Sequence, residues 1–122
     1  MIFMKILLDT NFMMLPGKKV DIYEYLEGKE LLTLDLCMKE LQKLAEGKKK
    51  DAGAARIGFL LAKNRVKVIE SRLKSADLGI ISEAKKHKYL VVATNDRKLI
   101  KTLKKHGIRI LRLRQGRMLA EE

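Results

Sequence analysis

The chain has little of what many kinds of protein are built from. Its 122 residues include one cysteine, one proline, two histidines, no tryptophan, three tyrosines and three phenylalanines. Cys37 alone cannot form an intrachain disulfide, and its place in an apolar helical pattern suits a small buried side chain in a reducing compartment. His87 and His106, both near lysine-rich helix ends, supply too few soft ligands for a zinc site. The scattered aromatics offer no base-stacking platform of the RNA-recognition type. No apolar run is long enough to cross a bilayer, and Met1–Leu8 is too short and too soon followed by an acid for a signal peptide. The expectation is a soluble cytoplasmic protein with no membrane partner.

Positive charge is what the chain has in quantity. Lys plus Arg number 27 against 15 Asp plus Glu, a net charge of +12 that favours a polyanion, with RNA or DNA ahead of a membrane surface. The charge is uneven: residues 1 to 62 carry 10 basic and 9 acidic side chains, residues 63 to 122 carry 17 and 6. The second half should therefore form most of the basic surface, with Lys48-Lys49-Lys50 reading as a solvated loop.

The length fits one domain over residues 1–122. Short β-like runs alternate with helical periods, which predicts an α/β fold around a mainly parallel sheet. Strands are expected at Met4–Leu8, Leu31–Leu34, Val66–Ile69, Tyr89–Thr94 and Ile108–Leu113. Helices are expected at about Val20–Glu27, Leu36–Glu46, Ala52–Asn64, Ala76–His87 and Asp96–His106. Asp35, Ser75 and Asn95 read as N-caps, Gly28, Gly47 and Gly107 as C-terminal stops, and Pro16-Gly17 as a turn. The tail after Leu113 has little pattern, and its last few residues are expected to be disordered.

Four acids stand out against this frame: Asp9, Glu40, Asp77 and Asp96. In a parallel sheet the residues after the strand carboxyl ends gather along one edge, so all four can approach the same place. Each has a plainer role open to it. Asp9 could make a turn, Asp96 could be an N-cap, and Asp77 could favour the positive end of a helix. At about 100 degrees per residue, however, Asp77 shares a stripe with Ile80, Ile81 and Ala84, and Asp96 shares one with Leu99, Ile100 and Leu103. Both are expected to face inward, with Glu40 flanking the core. Converging carboxylates repel one another, and oxygen donors suit a hard divalent cation, Mg²⁺ or Mn²⁺.

Leu8-Asp9-Thr10-Asn11, Cys37-Met38-Lys39-Glu40-Leu41, Ser75-Ala76-Asp77 and Val91-Val92-Ala93-Thr94-Asn95-Asp96-Arg97-Lys98-Leu99, in this order and spacing, resemble the PIN-domain ribonuclease family. The stretches Met38–Leu44 and His87–Thr94 look closest to the branch that processes small-subunit ribosomal RNA precursors. The resemblance implies a three-layer α/β/α domain with strand order 3-2-1-4-5. It also implies metal-dependent endonucleolytic cleavage of RNA, with precursor ribosomal RNA as the expected partner, leaving 5′-phosphate and 3′-hydroxyl ends. It places Asp9, Glu40, Asp77 and Asp96 at the metal and catalytic site, with Asn11, Thr94 and Asn95 orienting carboxylates or water. Arg97, Lys98, Lys101, Arg112 and Arg114 would meet RNA phosphates. The branch often has paired aspartates where this chain reads Asp77-Leu78, so one acidic contributor is missing. Homodimers are common in the family and are an expectation here. Two other readings stay open, a toxin ribonuclease of a toxin-antitoxin pair and a non-catalytic RNA-binding or ribosome-assembly module.

Overall fold

Six strands form one sheet in the order β3-β2-β1-β4-β5-β6. The structure, a computed structural model, describes residues 4–114 and 117–121, with side chains described for 4–114. Strands β1 (Lys5–Leu8), β2 (Glu30–Leu34), β3 (Lys67–Ile69), β4 (Leu90–Ala93) and β5 (Arg109–Arg114) pair in parallel. This is the expected five-strand order. The sixth strand, β6 (Arg117–Glu121), was not anticipated and pairs antiparallel with β5, with Leu111 opposite Ala120. It lies in the tail where the sequence carried little pattern, and residues 115, 116 and 122 of that tail lie outside the described residues.

The central strands read as unbroken apolar runs because they are covered on both faces. Ile6, Leu7 and Leu8 of β1 and Val91, Val92 and Ala93 of β4 are all buried. From β1 the chain steps outward to β2 and β3, then crosses back to β4 and β5. Right-handed crossovers in opposite directions put the intervening helices on opposite faces. Helices α1 (Thr10–Met13), α2 (Ile22–Tyr25), α3 (Asp35–Glu46) and α4 (Ala52–Arg65) precede β3, while α5 (Ala76–Lys86) and α6 (Arg97–Lys105) follow it. The strand order reverses between β1 and β4, and beyond their paired carboxyl ends the connections lead to opposite faces and leave a crevice.

Several local expectations need correction. The first predicted helix is only the single turn of α2, because Pro16-Gly17 belongs to a 3-10 turn over Leu15–Lys18 that ends with Lys19 at φ 69. The short α1 escaped the apolar pattern altogether, being one turn held by Asp9. Asp96, not Asn95, caps α6, and Asp35 is the first residue of α3 rather than its cap. The Asp35 carboxylate instead accepts from the Leu36 and Ser71 amides at 2.8 and 3.0 Å, tying α3 to the loop after β3. Gly47 ends α3 in an extended conformation, φ −84, whereas Gly28 and Gly107 adopt the left-handed turn at φ 83 and 70. Ser75 caps α5 as expected, accepting from the Leu78 amide at 3.2 Å.

Candidate active site

Asp9 leaves the end of β1 and turns at once into α1. Its backbone amide still donates to the Ala93 carbonyl at 3.2 Å, so the residue stays latched to β4. Its Oδ1 accepts from the Phe12 amide at 2.8 Å, which makes it the N-cap of α1. The Thr94 hydroxyl donates to its Oδ2, and the same hydroxyl accepts from the Asp96 amide at 3.1 Å. Thr94, fully buried, thus joins the two aspartates across the switch point.

Asp96 caps α6 with one oxygen, Oδ1 accepting from the Lys98 and Leu99 amides at 2.9 and 3.3 Å. Asp77 sits in the first turn of α5 and Glu40 on α3, one turn after the helix starts. Among the described residues neither carboxylate has a hydrogen-bonding or ionic partner. All four acids line one cleft of about 340 Å³, together with Thr10, Asn11, Cys37, Ser75, Ala76 and Ile80. The four come from four different connections along the chain. What they share is the carboxyl edge of the sheet.

The expectation that Asp77 and Asp96 face inward is corrected in one respect, because both are exposed, as is Glu40, and only Asp9 is buried. The reason is their position in the first helical turn. The apolar stripes of α5 and α6 pack on the sheet from Ile80 and Leu99 onward, but the turns before them overhang the strand ends, so the same face opens into the cleft.

The electrostatics follow from this mix of burial and crowding. Burial pushes the Asp9 carboxyl up to about 6; the Thr94 and Phe12 hydrogen bonds oppose the rise, and Asp96 and Asp77 add to it. Asp77 is also held above the usual carboxylate range, first by partial burial and then by Asp96 and Glu40. Burial likewise raises the Cys37 thiol at the cleft wall, with Thr10 and Thr33 donating partial relief. An uncompensated concentration of negative charge is therefore the chemical character of the cleft.

The donor chemistry fits a hard divalent cation, since every acidic ligand is oxygen and each would be relieved by a positive charge. Among the described residues, no three His, Cys, Asp or Glu side chains stand close enough to hold one ion directly. A cation in the cleft would therefore meet some of these carboxylates only through its own waters.

The remaining predicted residues divide. Asn11 lines the cleft, whereas the Asn95 amide oxygen accepts from the Leu113 amide at 2.8 Å and braces the loop before α6 against β5. Arg97, Lys98 and Lys101 are exposed on α6 beside Asp96; Arg114 is exposed and Arg112 half-buried on β5, away from the cleft lining. Leu78 is 56% exposed and is not part of the lining, so the residue that stands in place of an acid does not face the cleft. Thr10, Cys37 and Ser75 were not foreseen at the site. Thr10 and Ser75 could have been found from their adjacency to Asp9 and Asp77, but Cys37 carried only a core signal.

Comparison with known proteins agrees with this fold. The family model described as a PIN-like domain matches residues 6–116. A solved structure titled "Structure of the PIN domain endonuclease Utp24" superposes with a TM-score of 0.79 at 30% identity, covering 96% of this chain and 90% of that one. No curated protein matches.

Proposed function

Because the chain belongs to the PIN-like domain family, we propose that it is a divalent-metal-dependent endoribonuclease acting in ribosomal RNA maturation. The observation that carries this reading is the single cleft into which Asp9, Glu40, Asp77 and Asp96 all open. The solved endonuclease similar over nearly the whole chain supports the reaction class, and the basic surface supports RNA as substrate.

In this proposal the four carboxylates would hold Mg²⁺ or Mn²⁺ in part through the ion's own waters, with Asp9 the fixed member and Asp77 and Glu40 the adjustable ones. Thr94 sets the Asp9 carboxylate and, through the Asp96 amide, keeps the two aspartates in register. When bound, the cation supplies an acidified water and neutralises charge on the oxygen that leaves phosphorus. Arg97, Lys98 and Lys101 grip phosphates beside the scissile bond, countering the repulsion between an acidic cleft and a polyanion. Arg112 and Arg114 extend that grip along β5.

The test is incubation of the purified chain with precursor ribosomal RNA and with single-stranded RNA, with and without Mn²⁺. Asp9→Asn and Asp96→Asn should each lower the cleavage rate by at least about a hundredfold, an effect of roughly 3 kcal/mol on the barrier, while circular dichroism remains native. Undiminished cleavage by both variants would remove the proposed site. The open spacing of the carboxylates favours one other reading, a non-catalytic RNA-binding module. Salt-dependent RNA binding with no metal-dependent product would select it.

A further inference from the structure

A second cavity, of about 370 Å³, lies at the opposite end of the strands from the acidic cleft. Its wall is formed by Lys85 and His87 at the end of α5, Lys88 and Tyr89 in the next loop, His106 after α6 and Arg109 at the start of β5. Both histidines of the chain meet here, although they follow different helices. The topology brings them together, since α5 and α6 run back along the sheet and finish where β4 and β5 begin. Gly107 makes the second junction sharp. In its left-handed conformation its amide reaches the Lys104 carbonyl and the Ile108 amide reaches the Leu103 carbonyl, both at 3.0 Å, which delivers Arg109 to the cavity at once.

Among the described residues, the charge at this end is not used up within the fold. Glu83 takes Lys86 at 3.4 Å and His87 at 3.2 Å. Among the described residues, Lys85, Lys88 and Arg109 have no carboxylate partner. Cations in a last helical turn are accounted for by the helix dipole, which covers Lys85. Lys88 and Arg109 lie outside the helices, and the dipole does not explain them. Tyr89 is 50% exposed, with the Lys88 ammonium 5.6 Å from its ring centre. An exposed aromatic ring beside three cations that have no carboxylate partner among the described residues suits an anion that carries a flat ring.

We infer that this cavity is a second RNA-binding site, which takes the phosphodiester backbone of a single-stranded stretch on Lys85, Lys88 and Arg109 and stacks one base on Tyr89. The site rests on the reading of the chain as a protein that acts on RNA, but not on its cleaving RNA. Strand β4 separates the cavity from the acidic cleft, and its length puts the two on the order of 10 Å or more apart. The cavity therefore holds RNA away from the bond being broken. An acidic protein would satisfy the cations but leave Tyr89 without a role.

The experiment is fluorescence anisotropy of a labelled single-stranded RNA with the full chain in EDTA, across a salt series. The triple variant Lys85→Gln, Lys88→Gln, Arg109→Gln should weaken binding at least about tenfold and reduce the slope of log K against log salt by about 2. Tyr89→Ala should weaken binding about fivefold or more with the slope unchanged. A control triple, Lys29→Gln, Lys63→Gln, Lys67→Gln, removes the same charge at positions flanking β2 and β3, outside the cavity lining, and should have less than half the effect on log K. Equal losses in the two triples, a neutral Tyr89→Ala, or displacement of RNA by polyglutamate as readily as by unlabelled RNA would each overturn the site. If the triple variant melts early, Lys88→Gln alone, in an exposed loop, gives the same comparison at about one third of the slope change. Turnover plays no part in this assay, so a chain that binds as described yet never cuts would refute the nuclease reading and leave this site standing.

Discussion

At the scale of single residues, Asp9 concentrates the conflict between folding and function. Its carboxyl is pushed up to about 6 in the folded protein from an ordinary value of 3.8, so the folded state holds that proton more tightly. The contribution is fully present below pH 4 and is lost as pH rises through 6, after which the buried charge costs on the order of 2 to 3 kcal/mol. Metal-free Asp9→Asn should accordingly be more stable than the parent at pH 8 and lack the decline between about pH 4 and 6, as read by urea melts at a series of pH values. The asparagine oxygen can still accept from Phe12, so the α1 cap survives the change. The sequence showed Asp9 and Asp96 as oddly placed acids but presented capping and ion binding as rivals. The structure shows that caps and cleft residues are the same groups, because a carboxylate has two oxygens and each aspartate uses Oδ1 for its helix. Thr94 was legible only through resemblance, since a buried threonine at the end of a strand looks like any other.

At the scale of elements, the long regular pieces were readable and the short ones were not. Helices α3 and α4 and the central strands declare themselves by period, whereas α1 and α2 are single turns whose order comes from packing. The packing is unusually close on one side of α4. A Cβ added at Gly58 would stand 2.3 Å from the Met13 carbonyl oxygen, and one at Gly17 would stand 2.4 Å from the Ala54 Cα. These glycines let the segment from α1 through the 3-10 turn lie directly on α4, where Ala52, Ala55 and Ala62 are also buried. Gly58→Ala should therefore destabilise the fold by roughly 1 to 3 kcal/mol through overpacking, despite alanine's better helix propensity. A thermal melt checks this against Gly53→Ala, where the nearest atom is the flexible Arg56 side-chain nitrogen at 3.9 Å, and which should be neutral or stabilising. Nothing in the sequence distinguished Gly58 from Gly53, because the difference lies in what the rest of the chain brings against each.

At the scale of the whole molecule, the chain joins a nearly neutral first half to a basic second half. The acidic cleft is the exception, and it couples ion binding to folding because the repulsion it stores exists only in the folded chain. Mn²⁺ should raise the thermal midpoint in proportion to the logarithm of its concentration, by about 2.7 kcal/mol in stability at a hundred times its dissociation constant. Differential scanning fluorimetry reads this directly, and Asp9→Asn should lose most of the shift. The strand that the sequence did not announce bears on a different property. By pairing along β5, β6 leaves β3 as the only parallel-strand edge among the described residues, three residues long and carrying Lys67. A short edge with a lysine offers a poor template to a neighbouring copy, so concentrated solutions should resist aggregation through the β3 edge even though the interior strands would, once bared, be strongly adhesive.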